Sequence, residues 1–145
     1  FKITKLGIDL YSYEATSLEE YKGEQLVNFS SKTNQNKKLK NTEITLNEEK
    51  KELIISGSEN QITSPKEYTV GTWWNHEIVQ AKAQISAISG RIIEQKVTFL
   101  GKEKLNLYGK NYDALRFNFA SSDKSLPDKK KLNTDVWYDE NTNLW

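Results

Sequence analysis

The strongest constraint on this chain is its alternation of apolar and polar side chains. Turn-forming residues interrupt the alternation about every 10–15 positions, as in antiparallel meanders. Tyr11, Tyr13 and Ala15 alternate with Ser12, Glu14 and Thr16, and Leu115, Phe117 and Phe119 share one parity. Period two puts such residues on one face of a strand. The predicted strands cover residues 1–4, 11–16, 26–31, 39–46, 52–56, 92–100, 104–108, 112–120 and 135–139, with a further one starting at Leu144. Turns are expected at residues 21–24, 33–38, 47–50, 89–91 and 109–111, and a polar loop at 121–131. Ser64 and Pro65 read as a break. Residues 77–87 are the one stretch with helical spacing, through Ile78, Ala81 and Ile85, although Ile85 also suits a strand.

The expected fold is therefore mainly β, an antiparallel curved sheet of about nine strands with at most one short helix. A sheet that long curls or splits into layers, giving a half-barrel or a closed up-and-down barrel. With 145 residues and no internal repeat, residues 1–145 read as a single β domain. The start in strand pattern at Phe1 and the finish at Leu144 and Trp145 suggest a chain trimmed at both ends.

Composition removes several function classes. There is no Cys, which excludes disulfide scaffolds, thiolate metal sites and cysteine nucleophiles. The single His, His76, excludes two-histidine acid/base chemistry and His-rich metal sites. Lys plus Arg is 21 against 20 for Asp plus Glu, without the basic excess of a nucleic-acid binder. No stretch approaches the roughly 20 apolar residues of a spanning helix.

The densest unusual cluster is Trp73, Trp74, Asn75 and His76. It reads either as a stacking platform at a barrel mouth, with Asn75 giving a directed hydrogen bond, or as an aromatic core plug with Asn75 satisfying turn backbone. His76 has no local carboxylate partner except Glu77, so its bland reading is a satisfied or exposed side chain. Alternation sends Glu19 and Glu20 to opposite faces, and a glycosidase pair would need a second carboxylate in one cleft. Thr33, Asn34, Gln35 and Asn36 suit a polar hairpin better than a calcium loop. Asp135, Asp139 and Glu140 suit solvated strand ends. Lys129, Lys130 and Lys131 read as exposed loop charge or as a contact for anionic phospholipid or polysaccharide. Asn28, Phe29 and Ser30 match a glycosylation acceptor.

Several ordered segments carry a resemblance: Leu18 to Tyr21 before Gly23 to Val27, Ser31 to Asn36, Trp74 with Asn75, Ser89 to Arg91, and Asp135 to Asp139. Together they resemble a family of secreted bacterial β-rich proteins classed as a domain of unknown function. More distantly they are similar to half-barrels of the lipoprotein-carrier (LolA and LolB) kind. His76 stands where that pattern has Pro. The resemblance implies a periplasmic or extracellular bacterial protein, with further strand before Phe1 and after Trp145.

The resulting expectation is a non-enzymatic envelope protein without a cofactor or metal. It binds a lipid or other apolar molecule through Trp74, Asn75, Phe99, Leu115, Phe117, Phe119 and Trp137. The alternatives are an assembly subunit that pairs through exposed strand edges with an envelope partner, and a glycan hydrolase using Glu19 or Glu20.

Overall fold

The computed structural model describes residues 2–5, 8–57 and 61–145. The backbone is antiparallel β with two short 3-10 turns, His76–Gln80 and Asp128–Lys130. Eleven strands are present among the described residues. They are β1 (Lys2–Lys5), β2 (Ile8–Lys22), β3 (Gln25–Gln35), β4 (Lys38–Asn47), β5 (Glu52–Ser56), β6 (Gln61–Pro65), β7 (Thr69–Val70), β8 (Ala83–Ile85), β9 (Ile92–Leu107), β10 (Lys110–Ser121) and β11 (Asn133–Asp139). One sheet has the order β1-β2-β3-β4-β5-β6 and the other β11-β10-β9-β8-β7. Both are curved and open, so the half-barrel expectation fits and the closed barrel does not form. The predicted start of β1 at Phe1 lies outside the described residues. Among those residues no helix is long and apolar enough to cross a membrane.

The chain groups into two compact units, Phe1–Val70 with Ile85–Ile92, and Gly71–Gln84 with Ile93–Trp145. In the first, strand register builds the core. Phe29, Ile44 and Ile55 stand opposite one another across β3, β4 and β5. Leu26 joins them because the β2–β3 register shifts between Glu20 and Tyr21, so Val27 takes up the extra position. Such a bulge puts Leu26 and Phe29, three apart, on one face. Asn36 and Lys37, both at positive φ, form the two-residue turn between β3 and β4. That geometry matches the strand twist and favours Asn, which condenses the polar run 33–38 to a tight hairpin.

In the second unit β9, β10 and β11 form a twisted ribbon. Tyr108 and Gly109, again both at positive φ, join β9 to β10. The β9–β10 register shifts at Leu100 and Gly101, where Arg116 opposes Gly101 and Phe117 opposes Phe99. Gly101 sits at φ +131, a conformation other residues rarely adopt. The predicted strands 92–100 and 104–108 are thus one strand bent at a bulge.

Three further expectations change. Residues 61–65, through the predicted break, form β6, an edge strand whose last residue is Pro65; an edge tolerates a residue that cannot donate. The helical candidate 77–87 divides into a 3-10 turn and β8, because Ile78 and Ile85 are both buried without completing one helical face. Leu144 does not begin a regular strand; its carbonyl accepts from the Asp139 amide to close a turn.

Candidate functional site

β10 separates two surfaces within the second unit. Odd residues Leu115, Phe117 and Phe119 face one way, and even residues Tyr112, Ala114 and Arg116 the other. Cross-strand pairing places Trp137 opposite Arg116 and Tyr138 opposite Leu115, so consecutive aromatic residues of β11 take opposite faces.

The odd face is packed. Phe119 and Tyr138 are each 0% exposed, and the Trp73 ring lies 5.0 Å from Phe119, edge-on. The His76 ring stands 4.7 Å from Tyr138, and Phe117 stands 5.2 Å from Phe99. The Tyr138 hydroxyl donates to the Trp73 carbonyl at 2.9 Å. Trp73 has φ +62, and the Trp74 amide donates to the Thr72 carbonyl at 2.7 Å, forming a γ-turn around it. A bulky residue at positive φ is strained. The hydroxyl bond and ring contact hold it there. Asn75 caps the 3-10 turn, its Oδ1 accepting from the Glu77 amide at 3.0 Å. Here the sequence cluster 73–76 takes its plug form, with Trp74 left 47% exposed. His76 Nε2 is buried without a hydrogen-bond partner among the described residues.

The even face carries a concave apolar trough of about 830 Å³, to whose lining Trp73, Thr134 and Val136 also contribute. Its walls include Leu105, Leu107, Tyr112, Trp137, Leu144 and Trp145. That size lies within the range of about 300–1,000 Å³ typical of small-molecule sites. Register explains it. Leu105 opposes Tyr112, and Glu103 opposes Ala114, on the same side as Trp137.

A charged lattice braces the trough. Arg116 Nη1 donates to Glu103 at 2.9 Å and Nε donates to Asp135 at 3.0 Å. The guanidinium carbon lies 5.0 Å from the Trp137 ring centre, and Trp137 Nε1 donates to Glu103 at 3.0 Å. Asn118 donates to the other Asp135 oxygen at 2.7 Å. The Trp137 and Arg116 hydrogen bonds hold the Glu103 carboxyl below its usual range. Asn118, then Arg116, does the same for Asp135, while Asp135 and Glu103 raise Arg116. Asp139 is lowered by bonds from Thr142 and Asn141 in the closing turn. These groups stay ionised at neutral pH and orient Trp137 as a wall.

The structure therefore does not gather the seven sequence candidates onto one surface. Leu115, Phe117, Phe119 and Phe99 share the packed face, Trp137 lies in the trough, and Trp74 and Asn75 belong to the turn before β8. Phe99 is 53% exposed despite its contact with Phe117. Sequence reading missed Glu103, Leu105, Leu107, Tyr112 and Arg116. The period-two signal could have found them once the parity change at Gly101 was allowed for.

The other candidates occupy ordinary structural places. Tyr21 donates to Glu19, and Asn28 donates to Glu20 from the neighbouring strand. The two carboxylates thus lie on opposite faces of β2, as alternation requires. Asn36 Oδ1 accepts from the Ser12 amide at 2.8 Å in the hairpin. Lys131 pairs with Asp128, and Lys102 with Glu140.

These features define an open, two-sheet antiparallel β protein with an aromatic-walled trough on one sheet face. The chain belongs to the family described as domain of unknown function (DUF6134), with the match covering residues 1–145. No curated protein and no solved structure matches it.

Proposed function

We propose that this protein is a non-enzymatic binder of an apolar or amphipathic small molecule. We place it in the bacterial envelope, in the periplasm or outside the cell. The observation that carries the binding role is the 830 Å³ trough on the even face, walled by Trp137, Tyr112, Leu105 and Leu107. Leu107, Leu144 and Trp145 are at least half exposed there. An apolar patch of this kind on a protein surface marks a site that something covers. Each 100 Å² of apolar surface buried by a ligand contributes about 2.5 kcal/mol before ordering costs. The envelope placement rests on the resemblance of the ordered segments to secreted β-rich proteins. The non-enzymatic reading is supported by the lattice chemistry. Glu103 and Asp135 are held ionised, the opposite of what a general acid requires.

The test is a titration with decyl maltoside below its micelle concentration, read by tryptophan fluorescence. A saturable change that Trp137→Ala weakens about tenfold supports the reading. No saturable change, or one indifferent to Trp137→Ala, refutes it.

A second reading, as an assembly subunit, has one observation in its favour. β11 ends its sheet, and the Asp139 amide bonds Leu144 instead of β10. By strand alternation Asp135 and Trp137 also turn their main chain outward, as an added strand would need. A concentration-dependent mass in light scattering would support it, and a mass fixed at one chain would oppose self-assembly.

A further inference from the structure

The charges around the trough are of one sign at its walls. Asp135 and Asp139 line it, and Glu103 stands behind Trp137. The only cation within this lattice is Arg116, held between Glu103 and Asp135. Lys102 and Lys104 project from the opposite face of β9, where they pair with Glu140 and Asp113. Lys96 and Lys110 share the trough's face but stand opposite Ala120 and Leu107, at its two ends. Two ionised carboxylates, Glu103 and Asp135, thus hold one guanidinium beside the Trp137 ring, and Asp139 adds a third carboxylate to the trough's wall. Aromatic faces attract cations and not anions, so charge and ring chemistry point the same way.

We infer that the trough selects a cationic amphiphile, its alkyl body against Leu105, Leu107 and Tyr112 and its quaternary or primary ammonium beside Asp135 and Trp137. This rests on the binding function proposed above and adds the sign of the ligand's head group. The formal net charge of the chain is +1, so non-specific attraction would favour an anion instead. Preference for a cation is therefore a signature of the site.

Three probes with one tail decide it: decyltrimethylammonium, decyl maltoside and decyl sulfate, each below its micelle concentration, read by tryptophan fluorescence of the full chain at pH 7. The ammonium is expected to bind about tenfold tighter than the maltoside, and the sulfate most weakly. Asp135→Asn should lose most of that preference, read as the ratio of ammonium to maltoside affinity in the variant against the same ratio in the unaltered protein. Because Asp135 also holds Arg116, the variant's fold is checked by circular dichroism, and salt provides an independent arm in the unaltered protein. Raising salt from about 0.01 M to about 1 M, which shortens the screening length from about 30 to 3 Å, should shrink the preference. Equal binding of ammonium and maltoside, tighter binding of the sulfate, or a preference indifferent to salt overturns the inference and leaves the binding function standing. Saturable binding by none of the three overturns both.

Discussion

Replacing Tyr138 by Phe removes a single oxygen and tests how the packed face is held. The hydroxyl donates to the Trp73 carbonyl at 2.9 Å, and Tyr138 is 0% exposed. Its loss leaves a carbonyl without that donor, at a cost of about 1–3 kcal/mol. Trp73 at φ +62 stores strain that relaxation would return, on the order of 1 kcal/mol. Relaxation is limited because the indole remains packed 5.0 Å from Phe119. The expected net destabilisation is about 1–2 kcal/mol at pH 7, read as a lower urea midpoint at unchanged slope. The pH dependence gives a second readout. Burial pushes the Tyr138 hydroxyl up to about 12, above the ordinary value of about 10. Folding favours the protonated form, so this contribution is intact below about pH 10 and lost as pH rises towards about 12. The variant has no such group, so its stability gap to the unaltered protein should narrow over that interval. Equal stability at pH 7 together with parallel profiles from pH 9 to 12 would refute the clamp.

Three further outcomes are expected. Phe119→Ala empties a fully buried site between Trp73 and Val136 and should lower unfolding free energy by about 3–5 kcal/mol in urea titration, whereas a loss below about 1 kcal/mol would place Phe119 outside the core. Gly57→Ala should cost about 1–3 kcal/mol, because a Cβ there overlaps the Ser89 carbonyl and meets Gly90, both main chain; a neutral thermal midpoint would contradict that close approach. Glu103 is depressed in the folded state, so its contribution is present above about pH 4 and fades as pH falls below it. Glu103→Gln should therefore be less stable at pH 7, with the difference closing on acidification; a gap constant from pH 7 to 2 would refute the ionised lattice.

The meander was legible because its register depends on alternation that one residue's slip would invert. The face of Leu115, Phe117 and Phe119 follows from counting by two, while the rung of Phe29, Ile44 and Ile55 needs the register across β3, β4 and β5 as well. Two breaks in that count were illegible. Gly101 looks like a strand end because glycine commonly terminates strands, yet here it carries a bulge in one bent strand. Pro65 looks like a breaker, yet it ends an edge strand that needs no donor from it. The candidate site shows the same limit. Trp137 was found as an aromatic residue, but its grouping with Phe117 and Phe119 fails because it stands opposite Arg116. The trough needed the cross-strand partners Glu103, Leu105 and Tyr112, and only the register across the bulge supplies them. The cluster 73–76 was conspicuous in sequence, and its Trp73 and His76 rings proved to pack against the core while Trp74 stays exposed.

The binding claim is tested most directly by mapping where a ligand sits. Amide chemical shifts of the ¹⁵N-labelled protein, followed through a decyl maltoside titration, should move in saturable fashion at Leu105, Leu107, Tyr112 and Trp137, with Phe119 and Tyr138 still. Shifts scattered over both sheets, or centred on Phe99 and Phe117, would contradict a trough on the even face of β10.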